Sequence, residues 1–254
     1  MARTRCTVCG KPAAYKCKYC GDILCEEHLS PEMHWCMGLE EYKRDIEVGR
    51  TVLMAKPNEK MRKKVNANIF GIFSHNYSYL LLFLISISFV LQLLIPRPYY
   101  TGLLILDPLL VMERPWTLVT HIFLHGSFEH FFFNMLFFIF FGPLLERKIG
   151  STKFLLIFFL SGIFAGIGWS LTSAYPALGA SGALMGIFAT LAVLMPRMRV
   201  YFFFLIPMEI WMVVVLFALF DFIMLGSGDM IAHTAHLSGL LFGLVAGMWL
   251  KKTF

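Results

Sequence analysis

The chain has 254 residues, of which 58% are hydrophobic, 26 are Phe and only 15% are charged. No soluble domain of this size has enough interior to hide that much apolar surface, so the composition excludes an ordinary globular enzyme and indicates a polytopic membrane protein. The net charge of +6 comes from Lys and Arg near the ends of apolar runs rather than from a basic face, which suits membrane orientation and speaks against a nucleic-acid partner.

Residues 1–40 are polar and hold all six cysteines. Ligand-type residues run Cys6-x2-Cys9-x7-Cys17-x2-Cys20-x4-Cys25-x2-His28-x5-His34-x-Cys36. The CxxC spacings with interleaved His predict zinc in a reducing compartment rather than disulfides. Eight ligands make two closed tetrahedral sites, which are structural rather than catalytic. A module of about 40 residues has too little core to fold unaided, and metal supplies the missing stability. The polar, cysteine-rich start predicts no cleavable signal peptide. The spacing and the PEMHWC ending resemble AN-one-type zinc fingers, with the B-box a near neighbour. In cross-braced relatives the first and third ligand pairs share one ion. The resemblance therefore implies Cys6, Cys9, Cys25 and His28 on one zinc, with Cys17, Cys20, His34 and Cys36 on the other. It also implies a cytosolic protein partner.

Residues 41–78 read as a charged cytoplasmic linker, with Lys56, Lys60, Arg62, Lys63 and Lys64 close before the first apolar run. Six apolar stretches follow, at 79–95, 118–144, 153–174, 181–195, 202–225 and 230–250, near or above the ~20 residues a membrane helix needs except for the fourth. With six crossings, the linker, Arg147, Lys148, Lys153, Arg197, Arg199, Lys251 and Lys252 fall on one side. The other side keeps Arg97 and Arg114 beside Asp107, Glu113, Glu129 and Asp229. The positive-inside rule makes both termini cytoplasmic, in an integral cell-membrane protein of six spans.

The fourth stretch opens on the sequence LGASGALMG and ends at Pro196. A helix from Ser181 to Arg197 rises about 24 Å, short of the ~30 Å hydrocarbon thickness, so Ser181 lies below the outer surface. The same ruler gives about 22 Å from His236 to Lys251, about 24 Å from His130 to Glu146 and about 18 Å from Asn134 to Glu146. A serine, two histidines and an asparagine on three helices thus converge at one depth, where polar groups need partners or water. Gly182 and Gly186 on the fourth helix, and Gly239, Gly243 and Gly247 on the sixth, let those helices approach closely enough for Ser181 to meet His236.

A serine hydroxyl is a weak nucleophile until an imidazole takes its proton, which assigns Ser181 as nucleophile and His236 as general base. Ser181 opens its helix, where free amides favour developing negative charge. His130 and Asn134, four apart on one helix face, supply further donors for an oxyanion. The reaction class is acyl transfer, with water as acceptor, and it needs no cofactor. No carboxylate stands out as a third member, so the reading is a Ser–His dyad. Asp221 and Glu209 read as interhelical hydrogen-bonding or water-facing groups, and His233, one turn before His236, as structural or modulatory.

These residues resemble the rhomboid family of intramembrane serine proteases over 79–252. The motifs are GASG around Ser181, HGSFEHFFFN from His125 to Asn134, GPLLERKIG from Gly142 to Gly150, and AHLSGLLFG from Ala235 to Gly243. The resemblance implies an all-α six-helix bundle, with Ser181 and His236 catalytic and with His130, Asn134 and the Ser181 amide around the oxyanion. It implies transmembrane protein substrates within the lipid bilayer, a structural role for His125, and bracing of the first loop through Glu146. Where family members often carry Trp-Arg in that loop, Trp116 is followed by Thr117. Two rival readings are an inactive rhomboid-like protein that binds membrane clients, and a bis-histidine haem protein using His121 or His125 with His233 or His236. A zinc protease is disfavoured because HIFLH lacks the glutamate of HExxH.

Overall fold

The computed structural model of the chain describes residues 5–47, 76–202, 205–229 and 231–252. Contacts separate it into two units, residues 1–72 and 73–254. Among the described residues the first unit has a two-stranded antiparallel ladder, β1 (Tyr15–Lys16) with β2 (Ile23–Leu24), and an α-helix, α1 (Leu39–Glu47). Its core is Ala13 and Leu24 together with the thiols of Cys6, Cys17, Cys25 and Cys36. A core so poor in hydrocarbon cannot by itself hold the fold. Lys18 Nζ and the Tyr19 hydroxyl both donate to Asp45 on α1, at 3.2 and 3.1 Å. The stretch expected to be linker from residue 41 therefore begins inside α1. Its remainder, with the basic cluster from Lys56 to Lys64, lies outside the described residues.

The second unit contains α2 (Tyr77–Leu94), α3 (Thr101–Leu104), α4 (Thr117–Thr120), α5 (Phe128–Ile149), α6 (Ser151–Thr172) and α7 (Ser181–Leu194). A hairpin, β3 (Arg199–Phe202) with β4 (Ile206–Glu209), then leads into α8 (Ile210–Ile223) and α9 (His233–Lys251). Among the described residues α2, α5 and α6 are long and apolar enough to cross a membrane, while α7 and α8 are shorter apolar helices. Two helices begin later than the apolar runs suggest. The run from 118 is interrupted by Gly126 and Ser127, and the Ser127 hydroxyl caps α5 by accepting from the His130 amide at 3.2 Å. The run from 202 starts in the hairpin, where Arg199 pairs with Glu209 and Tyr201 with Pro207.

Glu146, near the end of α5, is buried, and its two oxygens accept from the amides of Tyr77 and Ser78 at 2.7 and 2.8 Å. A carboxylate satisfies the orphan donors of a helix start and matches its positive dipole end. This corrects the expectation that Glu146 braces the first loop. From Phe128 to Glu146 the helix rises about 27 Å, which puts the carboxylate at the far end of the bundle from that loop. The loop is held by its own contacts. Trp116 Nε1 donates to the Leu103 carbonyl at 3.1 Å, Arg114 to the Gly102 carbonyl at 3.2 Å, and Thr120 to the Leu104 carbonyl at 2.8 Å.

Helix α9 packs most extensively on α7, and next on α6. The α7–α9 contact is backbone on backbone. A Cβ at Gly239 would collide with the Gly182 carbonyl, and one at Gly243 with Gly186. Thr190 fastens the pair, its buried hydroxyl lying 2.9 Å from the Gly186 carbonyl and 3.0 Å from that of Gly243. Around α7 the phenylalanines divide. Phe138, Phe154 and Phe158 stack in the core, while Phe132, Phe133 and Phe140 are exposed, so the Phe-rich run serves both packing and the outer apolar face.

Gly243→Ala is expected to destabilise the bundle by at least about 1–3 kcal/mol, because a methyl there is driven against backbone rather than a yielding side chain. Thermal unfolding in detergent should show a lowered Tm, whereas Leu241→Ala, on the exposed side of the same helix, should leave it near the parent.

Candidate active site and metal centres

Ser181 is the first residue of α7, and its hydroxyl lies 2.8 Å from His236 Nε2 on α9. The backbone contact explains the meeting. Ser181 immediately precedes Gly182, and His236 lies three residues before Gly239 on the same helix face. Both residues are partly exposed. The loop before Ser181 is pinned to the first loop by the Gly179 amide donating to the His121 carbonyl at 2.9 Å and by the Leu106–Ala177 bridge.

Gly179 reads in the sequence only as the first residue of GASG, with no role of its own, yet it shapes the space in front of the serine. Its φ is +126°, a conformation that side chains disfavour. A Cβ there would stand 2.9 Å from His130 Nε2 and 3.8 Å from Ser181 Oγ. The gap between hydroxyl and imidazole stays open because no side chain fills it. His130 Nδ1 accepts a weak bond from the Gly126 amide at 3.4 Å, which leaves Nε2 to carry the hydrogen. Asn134 is buried and its Nδ2 donates to the His130 carbonyl at 2.7 Å, tying the two residues together on α5. His125 is buried edge-on against Phe89, Phe131 and His130, and its backbone is clasped by Gln92.

On the other side of His236 the structure places a carboxylate that spacing alone did not. Asp221 Oδ1, on α8, lies 3.1 Å from His236 Nδ1 and 2.6 Å from His233 Nδ1. His233 Nε2 in turn faces the Asp229 carboxylate at 3.1 and 3.2 Å. The Ile231 amide, and then the His233 ring, hold Asp229 below the usual carboxylate range. Both ring nitrogens of His233 and of His236 thus have protein partners, which leaves neither free as a haem ligand. Asp221, His233 and His236 form a cluster with ligand-type atoms within 4.8 Å of one another, and shared hydrogens account for its closeness. Glu209, at the foot of α8, accepts from Trp211 Nε1 at 2.8 Å.

In the first unit, the described residues form two Cys3His clusters that could hold metal ions, Cys6, Cys9, Cys25 and His28, and Cys17, Cys20, His34 and Cys36. A tetrahedral ion with ~2.3 Å bonds to sulfur requires S–S edges of about 3.8 Å. Cys9–Cys25 and Cys17–Cys36 are 3.6 and 3.7 Å apart. Cys20 Sγ is 3.4 Å from His34 Nε2, and His28 Nδ1 lies 3.2 Å from Cys25 Sγ and 3.9 Å from Cys6 Sγ. His34 Nδ1 donates to the carbonyls of His28 and Ser30 at 2.9 and 2.8 Å, a shell that fixes the tautomer and turns Nε2 to the cluster. Desolvation pushes the Cys9 thiol up to about 11 and also raises that of Cys20. A cation bound there must therefore displace protons.

A model of the rhomboid domain matches residues 112–253. Among curated proteins, YdcA of Bacillus subtilis is 44% identical over 75 residues, covering 29% of this chain and 38% of that protein. The rhomboid proteases GlpG of Yersinia pestis and Yersinia pseudotuberculosis are each 33% identical over 144 residues, covering 53% of this chain and 48% of theirs. The chain thus spans less than half the length of these relatives.

Two measurements bear on the sites. Gly179→Ala should cut fluorophosphonate labelling of Ser181 by about tenfold or more, since its methyl would occupy the gap beside His130. Metal analysis of the purified protein should return two divalent ions per chain, and Cys25→Ser only one, with chelation unfolding residues 5–47.

Proposed function

The chain belongs to the rhomboid family, and from that premise we propose that it is an intramembrane serine endopeptidase acting on transmembrane segments of other proteins. The observation that carries the reading is the 2.8 Å contact between Ser181 Oγ and His236 Nε2. His236 takes the hydroxyl proton as Oγ attacks the scissile carbonyl, then returns it to the leaving amine. A water activated by the same imidazole releases the acyl group. The oxyanion forms in the space kept open by Gly179, where the Ser181 amide and His130 Nε2 donate to it. Asn134 has a second amide hydrogen to add. Each such donor is worth roughly 2.7–4 kcal/mol in the transition state. A substrate helix must unwind first, because its carbonyls are otherwise committed to hydrogen bonds.

In this reading residues 79–252 form the protease domain. The six apolar helices α2 and α5 to α9 all enter the bilayer as its spans, and the basic residues at Arg147, Lys148, Lys153, Arg197, Arg199, Lys251 and Lys252 hold both termini in the cytoplasm. Residues 1–40 are an AN-one-type finger with two structural zinc ions, joined by the 41–78 segment. The 3.6 and 3.7 Å sulfur–sulfur edges, one in each cluster, suit zinc tetrahedra, and zinc would supply folding stability there and take no part in hydrolysis. The finger offers a cytosolic protein-binding module.

Ser181→Ala should abolish cleavage of a transmembrane reporter substrate while the protein still purifies folded. Cleavage that survives the substitution would remove Ser181 from the mechanism. His236→Ala should be nearly as severe, because the two groups act as a unit.

A further inference from the structure

Helix α8 reads IWMVVVLFALFDFI, apolar throughout except for one residue. That residue, Asp221, has a side chain only 3% exposed. Removing a carboxylate from water costs several kcal/mol unless partners offset it. Asp221 has two partners, the Nδ1 atoms of His233 and His236, and the second is the ring whose far nitrogen meets Ser181.

A neutral imidazole carries one hydrogen. For Nε2 of His236 to accept the serine proton, the ring hydrogen must sit on Nδ1, and an acceptor at 3.1 Å from Nδ1 holds it there. We propose that Asp221 is a positioning residue that completes a Ser181–His236–Asp221 triad, each member borne by a different helix. His233 clamps the carboxylate. Carboxylates face both of its nitrogens, Asp221 on one side and Asp229 on the other, and a ring carrying both hydrogens satisfies the two. When His236 takes up the serine proton it becomes a cation, and Asp221 stands against it in a site with little water. The Nδ1 hydrogen stays on the ring, so a single proton moves.

The inference rests on the proteolytic reading of Ser181 and His236. Its test uses the full chain in detergent, a fluorogenic transmembrane peptide and fluorophosphonate titration to count active sites. Asp221→Asn should lower kcat per titrated site by about a hundredfold or more with KM little changed, and Asp221→Glu should recover part of it. In protein with ¹⁵N-labelled histidine, a downfield Nδ1–H proton resonance assigned to His236, apart from that of His233, should be present in the parent and in Ser181→Ala, and lost in Asp221→Asn. The spectrum of Ser181→Ala is decisive even if Asp221→Asn fails to fold. Absence of that resonance would overturn the triad and favour a cation held by the three residues. A kcat per site for Asp221→Asn within about twofold of the parent would overturn it as well. In both cases an active parent leaves the proteolytic reading standing, whereas a parent that neither labels nor cleaves removes both.

Discussion

At their glycines the backbones of α7 and α9 touch directly, and the rest of the second unit is arranged around that contact. Lipid gives two apolar helices no hydrophobic reason to associate, so close packing and hydrogen bonds must hold them. Two glycine pairs remove the obstacle to approach, Gly182 with Gly239 and Gly186 with Gly243. Thr190 then adds a hydroxyl between the two backbones. With the helices this close, Ser181 and His236 have little freedom to be anywhere but together. The hydroxyl–imidazole contact follows from packing one residue and one turn away.

Buried carboxylates organise the two ends of the same bundle in different ways. Glu146 satisfies the first amides of α2, closing a helix start that would otherwise leave donors unpaired in an apolar setting. Asp221 gathers two imidazoles. Each acid is matched to groups that need an acceptor; Glu146 joins helices distant in sequence, and Asp221 joins two successive ones. Between them the phenylalanine core on α5, α6 and α7 supplies dispersion and shape.

How much of this was legible in the sequence depends on whether a single helix axis carried the information. Depth is set by counting residues from a charged anchor, and it brought Ser181, His130, Asn134 and His236 to one level. Glycine spacing gave the partner of α7. In the first unit, spacing and resemblance supplied the grouping of six Cys and two His into the two clusters that the structure brings together. Helix starts at 128 and 210 were not legible, because apolar composition does not distinguish a helix from an apolar loop or hairpin. Asp221 was visible as an oddity but not as a neighbour of His236. An apolar helix with no polar stripe gives no sign of how it is rotated about its axis. Gly179 stood within GASG without a role, because a loop glycine says nothing of what its missing side chain would have struck.

That rotation, once seen, carries an argument of its own. The buried side of α8 runs through Ile210, Val213, Val214 and Asp221, with Phe217 packed against the core. Residue 221 therefore occupies the last position of an apolar stripe, where a leucine would extend the packing. A buried ion pair is often no more stabilising than hydrophobic residues of the same volume, so stability gives no reason for an acid at that place. The reason must lie in what the acid orders, and its two neighbours are imidazoles, one of them already in contact with a serine. Specifying a tautomer is something a leucine cannot do, and it is the one property of Asp221 that the bundle has no other residue at that position to supply.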